Sequence, residues 1–140
     1  AQLARIVELF RQSEQVYFVG DMRELECFYS LQLDLMCKGQ AVYHCNFDEV
    51  KKDELPAMNE KTVVCIFSVS ERYYPEERQL LLEEARACRA HTVWFTQEGD
   101  AGEAEETCYY GTAQSKNMGY YSLLLLEQVI SAMLYRSDDA

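Results

Sequence analysis

Proline and glycine are scarce in this chain, two and six respectively in 140 residues, so no stretch reads as a flexible or Pro-rich linker. Without such a boundary, and near the commonest length for one compact unit, residues 1–140 read as a single domain. Histidine is scarcer still. His44 and His91 are the only two, neither has a partner at ligand spacing, and both read as structural or solvent-exposed. The six cysteines (Cys27, Cys37, Cys45, Cys65, Cys88 and Cys108) contain no CxxC pair, which leaves neither a zinc set nor a redox pair. Cys65 lies in an apolar run and Cys88 on the apolar face of a helical stretch, so buried reduced thiols in a reducing cytoplasm are expected.

Basic residues are also short, with 13 Lys and Arg against 24 Asp and Glu and a formal charge of −11. Nucleic-acid backbones and anionic membrane surfaces both need clustered cations, so this domain is expected to touch neither. A small anionic ligand is still admissible, because one pocket can be locally positive in an acidic protein. Long apolar runs are missing too. The longest aliphatic run, Leu123 to Leu126, is far below a membrane span, and no window has a signal peptide's basic start and apolar core. The acid-rich stretch from Glu98 to Glu106 lacks an ordered ligand spacing and reads as a solvated loop rather than a metal site. No metal and no cofactor is expected.

What is present is an alternation of strand and helix. Leu3, Ile6, Val7 and Phe10 form a narrow helical stripe, and Val16-Tyr17-Phe18-Val19 is a short apolar run stopped by Gly20-Asp21. Helical periodicity runs from Glu24 to Lys38, with Gly39 as the cap, followed by a short strand at Ala41-Val42-Tyr43. Residues 46 to 60 are polar, with a weak helical turn or two around Leu55 and Met58. Thr62 to Phe67 is the strongest strand signal and stops at Ser68-Val69-Ser70. Pro75 opens a helix through Arg89, Glu76 and Glu77 suit its first turn, and Thr92 to Phe95 and Cys108 to Tyr110 read as further strands. A final helix over about Asn117 to Tyr135 is apolar around most of its circumference. The pattern predicts an α/β fold: a doubly wound five-stranded parallel sheet, order 2-1-3-4-5, with helices on both faces. The apolar first and last helices leave more surface than one small domain readily hides, which points to a homodimer; the plainer alternative packs both helices on the sheet.

In such a sheet, ligands bind beyond the strand ends where the order reverses, here between strands one and three. That places the loops Gly20-Asp21-Met22-Arg23-Glu24 and Ser68-Val69-Ser70-Glu71-Arg72-Tyr73 opposite each other. Gly20, Asp21, Met22, Arg23, Ser68, Ser70, Arg72 and Tyr73 are the candidate ligand residues, with hydroxyls from the serines and positive charge from the arginines. Ser68 and Ser70 read equally well as caps of the following helix. Tyr109, Tyr110, Tyr120 and Tyr121 read as stacking surfaces or as packing residues. No residue can be placed as an isomerase's general base or ring-opening acid, so no catalytic residue is assigned.

The element order, with the strands VYFVG, TVVCIFSVS and HTVWFTQ and the segment CKGQAVYHC, resembles the SIS (sugar isomerase, phosphosugar-binding) domain. The likeness is greatest to the effector domains of RpiR-type transcriptional regulators, and it covers nearly the whole chain. The family's GxGxS turn is met here by Gly20 only, with Met22 and Glu24 at the second-glycine and serine places. Its SxSGxT turn is met by Ser68 and Ser70, with Glu71 for the glycine and Tyr73 for the threonine, and Thr96 closes strand four as the family's threonine does. A carboxylate in an anion-binding turn repels the anion, and Glu71 gives up glycine's conformational freedom. The resemblance implies a non-enzymatic, dimeric effector domain that binds a sugar phosphate or related small anionic ligand. DNA binding would then belong to a separate helix-turn-helix domain that these 140 residues do not contain. The alternatives it leaves open are a phosphosugar isomerase and a degenerate domain kept for dimerisation.

Overall fold

A computed structural model describes residues 2–68, 74–96, 104–110 and 116–138 of the chain, the side chains of the last segment over 119–135. The elements follow in the order α1 (Gln2–Gln12), β1 (Gln15–Gly20), α2 (Met22–Cys27), α3 (Tyr29–Cys37) and β2 (Ala41–Asn46). Then come β3 (Thr62–Ser68), α4 (Pro75–Ala87), β4 (His91–Thr96), β5 (Glu106–Tyr109) and α5 (Lys116–Asp138). Single 3₁₀ turns at Phe47–Glu49 and Lys52–Glu54 carry the connection from β2 to β3. All five strands run parallel in the order β2-β1-β3-β4-β5. The doubly wound sheet is therefore as the pattern predicts.

Central strands are buried on both faces, which is why β1, β3 and β4 read as continuous apolar runs. One face packs Phe18, Cys65, Phe67 and Phe95 against α1, α2, α3 and α5. The opposite face packs Val19, Val64, Ile66 and Trp94 against Leu81, Leu82 and Ala85 of α4, with Phe47 and Val50 alongside. The first face is built on aromatic rings, with Phe28 4.9 Å from Phe67 and 5.2 Å from Phe95 between centroids.

Several expectations need correcting. The helical run from Glu24 to Lys38 is two helices that begin at Met22 and break at Phe28 (φ −104°, ψ 12°). The break turns the Phe28 ring wholly into the core. β2 extends to Asn46, so His44 and Cys45 are strand residues; α4 stops at Ala87, where Arg89 takes a left-handed φ of 61°. The α1 stripe does not remain outside. Ile6, Val7 and Phe10 are buried on the sheet, so the plainer alternative holds for that helix. On α5 the outcome is divided: Leu123, Ile130 and Leu134 are buried, while Tyr121, Leu124, Leu125, Val129 and Tyr135 are exposed. The cysteines are all free, but only Cys65 and Cys108 are buried and Cys37 is exposed. His44 bonds Gln32, and His91 bonds Glu105 at 2.8 Å. No described helix is long and apolar enough to cross a membrane, and no three described His, Cys, Asp or Glu residues are grouped as metal ligands would be.

Candidate functional site

β1 ends at Gly20 and its parallel neighbour β3 ends at Ser68, so both strand ends open on the C-terminal side of the sheet, where the strand order reverses. Thr96 ends β4 in register with Ser68 and is buried beside it, and its carbonyl accepts the Tyr110 N–H at 3.1 Å. Ser70, Arg72 and Tyr73, together with Val69 and Glu71, lie outside the described residues. Of the second loop only Ser68, half-buried, is placed. The N-cap position of α4 is Tyr74, with no side-chain cap bond, so Ser68 does not occupy it.

The first loop is tighter than expected. Met22 and Arg23 belong to the first turn of α2, and Asp21 alone makes the turn, as N-cap with φ −81° and ψ 173°. Asp21 Oδ1 accepts the Glu24 N–H at 2.8 Å, and the Asp21 N–H donates to Glu24 Oε1 at 2.7 Å. This reciprocal capping box satisfies two helix-terminal donors at once. Gly20 is required beneath it: a Cβ there would lie 2.8 Å from Glu24 Oε1 and 3.0 Å from Phe67. The Asp-x-x-Glu spacing of Asp21 and Glu24 is the sequence signal for this arrangement, and it gives Glu24 a capping role at the place where the family pattern has a serine.

Tyr120, from the first turns of α5, donates its hydroxyl to Asp21 Oδ2 at 2.8 Å. Burial and that bond to Asp21 push the Tyr120 hydroxyl's ionisation up, so it stays a proton donor. The Arg23 guanidinium lies 5.7 Å from the centre of the Tyr120 ring, and Met22 is largely exposed. Arg23, Glu26, Cys27, Tyr120, Tyr121 and Leu124 line an open groove of about 500 Å³ between α2 and α5. Cys27 lines the groove as a thiol. Burial, then the negative charges of Glu24 and Asp21, push its thiol up to about 11.

Of the tyrosines that read as stacking or packing residues, Tyr110 takes the packing role, and one buried acid has no counterpart in the sequence reading. Tyr110, just past β5, is buried, and its hydroxyl has no hydrogen-bond partner among the described residues. Glu127 is buried inside α5 and accepts the Leu31 N–H at 3.1 Å, which caps α3 where the helix restarts after Phe28. Its signal was one acid in a Leu-rich helix.

No family model and no curated protein matches the sequence. Solved structures do match in fold. The NanR protein of Vibrio vulnificus, complexed with ManNAc-6P, is 18% identical with a TM-score of 0.76, covering 97% of this chain and 54% of that one. The sugar isomerase domain of an RpiR transcription factor from Sphaerobacter thermophilus is 13% identical with a TM-score of 0.57, covering 99% and 85%. A hypothetical protein from Methanococcus jannaschii, for which a 3-hexulose-6-phosphate isomerase function was inferred, is 14% identical with a TM-score of 0.76, covering 99% and 78%. At such identities the likeness is one of fold. The chain has an SIS-like α/β fold.

Proposed function

We propose that this chain is the effector-sensing, dimerising domain of a cytoplasmic transcriptional regulator. It takes a sugar phosphate or a related carbohydrate derivative between the loops that follow β1 and β3. The observation that carries the reading is the switch point itself, where Gly20 and Ser68 end adjacent parallel strands. The ligand named for the NanR neighbour and the regulator named for another support the choice of ligand class and role. The carboxylates at the first turn are engaged in structural bonds, Asp21 with Tyr120 and Glu24 with the Asp21 amide, which favours binding over catalysis. DNA contact falls to a separate helix-turn-helix domain, and the ligand acts by shifting the population of dimer arrangements.

The test is a titration of the chain with a panel of sugar phosphates while its melting temperature is followed. A true effector at 100 times its dissociation constant adds about 2.7 kcal/mol of stability, several degrees for a domain of this size. If every member at millimolar concentration leaves the midpoint unmoved, the sensing role is refuted. A second reading, a phosphosugar isomerase, is favoured by the function inferred for the Methanococcus neighbour. Conversion of an aldose phosphate to its ketose by the chain alone would establish it.

A further inference from the structure

The two edges of the sheet are finished differently. β5, at one edge, is four residues long; its Glu106 pairs with Arg5 at 2.9 Å, and its Thr107 carbonyl accepts the Gln2 side-chain amide from α1. β2, at the other edge, runs six residues in unbroken register with β1 and has no charged residue, proline or bulge from Ala41 to Asn46. Charges, prolines and bulges are the devices by which edge strands discourage pairing with another chain. The Ala41 N–H donates to the Glu14 carbonyl at 3.0 Å. Strand alternation therefore turns the backbone groups of Ala41, Tyr43 and Cys45 toward β1, and those of Val42, His44 and Asn46 outward. No described residue hydrogen-bonds these outward groups.

A groove of about 490 Å³ runs beside this edge. Tyr17, Tyr43 and Cys45 form its strand side, and Glu54, Pro56 and Ala57 of the connection to β3 form the other wall. Tyr17 Oη and Cys45 Sγ lie 3.0 Å apart and satisfy each other, while Tyr43 is 48% exposed. Side chains alternate along a strand, so every second side chain of a strand added to β2 would enter the groove. There it would meet apolar surface from Tyr17, Pro56 and Ala57, and the carboxylate of Glu54. The connection from Phe47 to Glu60 holds five acids against two bases, and Lys51 and Lys52 do not line the groove. Charge therefore decides the occupant. The β2 strand of a second copy has no Lys or Arg to offer Glu54 and would bring a further formal charge of −11 with it.

We propose that the outer edge of β2 docks an extended segment of a protein partner, which joins the sheet as an added strand with an apolar side chain for the groove and a Lys or Arg for Glu54. Backbone pairing with Val42, His44 and Asn46 supplies affinity, and the groove with Glu54 supplies selectivity. β1 separates β2 from β3, so this surface is distinct from the loops after β1 and β3 and does not depend on carbohydrate sensing.

Selection of strand-length peptides from a random displayed library on the full chain tests the site, with His44→Pro, His44→Ala and Glu54→Lys for comparison. Both His44 variants lose the side-chain bond to Gln32, but only proline removes the outward N–H, and it does so without breaking a ladder bond to β1. Selected peptides should alternate apolar and polar residues and carry Lys or Arg. Relative to wild type, His44→Pro should weaken them at least about tenfold, His44→Ala no more than about twofold, and Glu54→Lys about threefold, the last loss shrinking at high salt. If melting curves show that His44→Pro is unfolded, N-methylation of the tightest peptide decides the matter on wild type. Methyl groups on one alternate set of its amides should abolish binding, and on the other set leave it intact. The docking edge is overturned if no peptide is selected, if both methylated sets bind alike, or if folded His44→Pro binds as well as His44→Ala. Acidic peptides that bind as tightly as basic ones overturn the role of Glu54. Self-association of wild type that His44→Pro abolishes gives the edge to a second copy and overturns the choice of partner.

Discussion

Gly20 shows how one residue links the sheet to the site. Its missing side chain leaves space for Glu24 Oε1 and for the Phe67 ring, contacts that a Cβ would make at 2.8 and 3.0 Å. Gly20→Ala is therefore expected to cost about 1–3 kcal/mol, the usual range for overpacking a filled site. The Glu24 part of that strain can be separated from the Phe67 part by a double-mutant cycle with Glu24→Ser, followed by chemical denaturation. Serine withdraws the oxygen, so the cycle should show a coupling of about 0.5 kcal/mol or more, with Gly20→Ala costing less in the Glu24→Ser background. Strict additivity would place the whole strain on Phe67 and leave Glu24 without a claim on this glycine. The sequence marks Gly20 as special through its position after an apolar strand. It does not reveal which neighbour needs the space, because that neighbour is fixed only when Asp21 and Glu24 fold back on each other.

Between residues and fold, the break at Phe28 is the element-scale feature on which the site depends. It ends α2 after six residues, turns a ring into the aromatic cluster, and leaves the first amides of α3 without partners in their own helix. Glu127 of α5 supplies one partner across the interface, at Leu31, and so ties α5 to α3 at a point of mutual burial. Burial pushes the Glu127 carboxyl up, an effect that the Leu31 N–H partly offsets. The sign of the linkage follows. A carboxyl with a raised folded-state pKa contributes its stability below the unfolded value, and that contribution is lost as pH rises through the folded one. Glu127→Gln keeps an acceptor for Leu31 and removes the charge, so it should exceed wild type in stability at pH 7. The excess should shrink on acidification towards pH 4 in denaturant titrations. Glu127→Leu, which strands the Leu31 amide, should cost about 1–3 kcal/mol at either pH. An unchanged wild-type-minus-Gln difference across that range would show that the carboxyl titrates normally. Legibility differs sharply among the elements, for physical reasons. β1, β3 and β4 were readable because burial on both faces forces continuous apolar runs. The division of α2 from α3 was not, since Leu25, Phe28, Leu31 and Leu35 keep i+3 and i+4 spacing straight through the break, and the partner that stabilises it lies 96 residues away. The capping box was readable from Asp21 and Glu24 themselves, whereas Tyr110 and Tyr120 reach the site only through tertiary packing.

At the scale of the whole molecule, charge and apolar surface are unevenly distributed. The chain carries a formal −11, yet the exposed residues of α5 from Tyr121 to Tyr135 include no charged side chain, and the one acid in that stretch, Glu127, points inward. Tyr121 and Leu125 are 66% and 63% exposed, and Leu124, Val129 and Tyr135 continue the same helix. Beside it, α3 exposes Tyr29, Leu33 and Met36 at helical spacing. Apolar area of this extent is unusual on a monomer, and a twofold contact through α5 would cover it while keeping the acidic surfaces of both copies in water. The proposed dimer therefore makes a specific demand. Leu125→Glu places two like charges in a self-complementary interface, one from each copy, at a position that a monomer leaves in solvent. Sedimentation should show a dimer for wild type and a shift of at least tenfold towards monomer for Leu125→Glu, with the melting temperature of the monomer fold preserved. Two neighbouring results would redirect the argument. A wild-type monomer at high micromolar concentration would leave the α5 face to a different protein, and a Leu125→Glu variant that stays dimeric would move the interface off this helix. Because the groove between α2 and α5 shares Tyr121 and Leu124 with the apolar face, ligand titrations of this monomeric variant also separate site from interface. Affinity retained in the monomer means that each copy holds a complete site, and affinity lost means that the partner helps to close it.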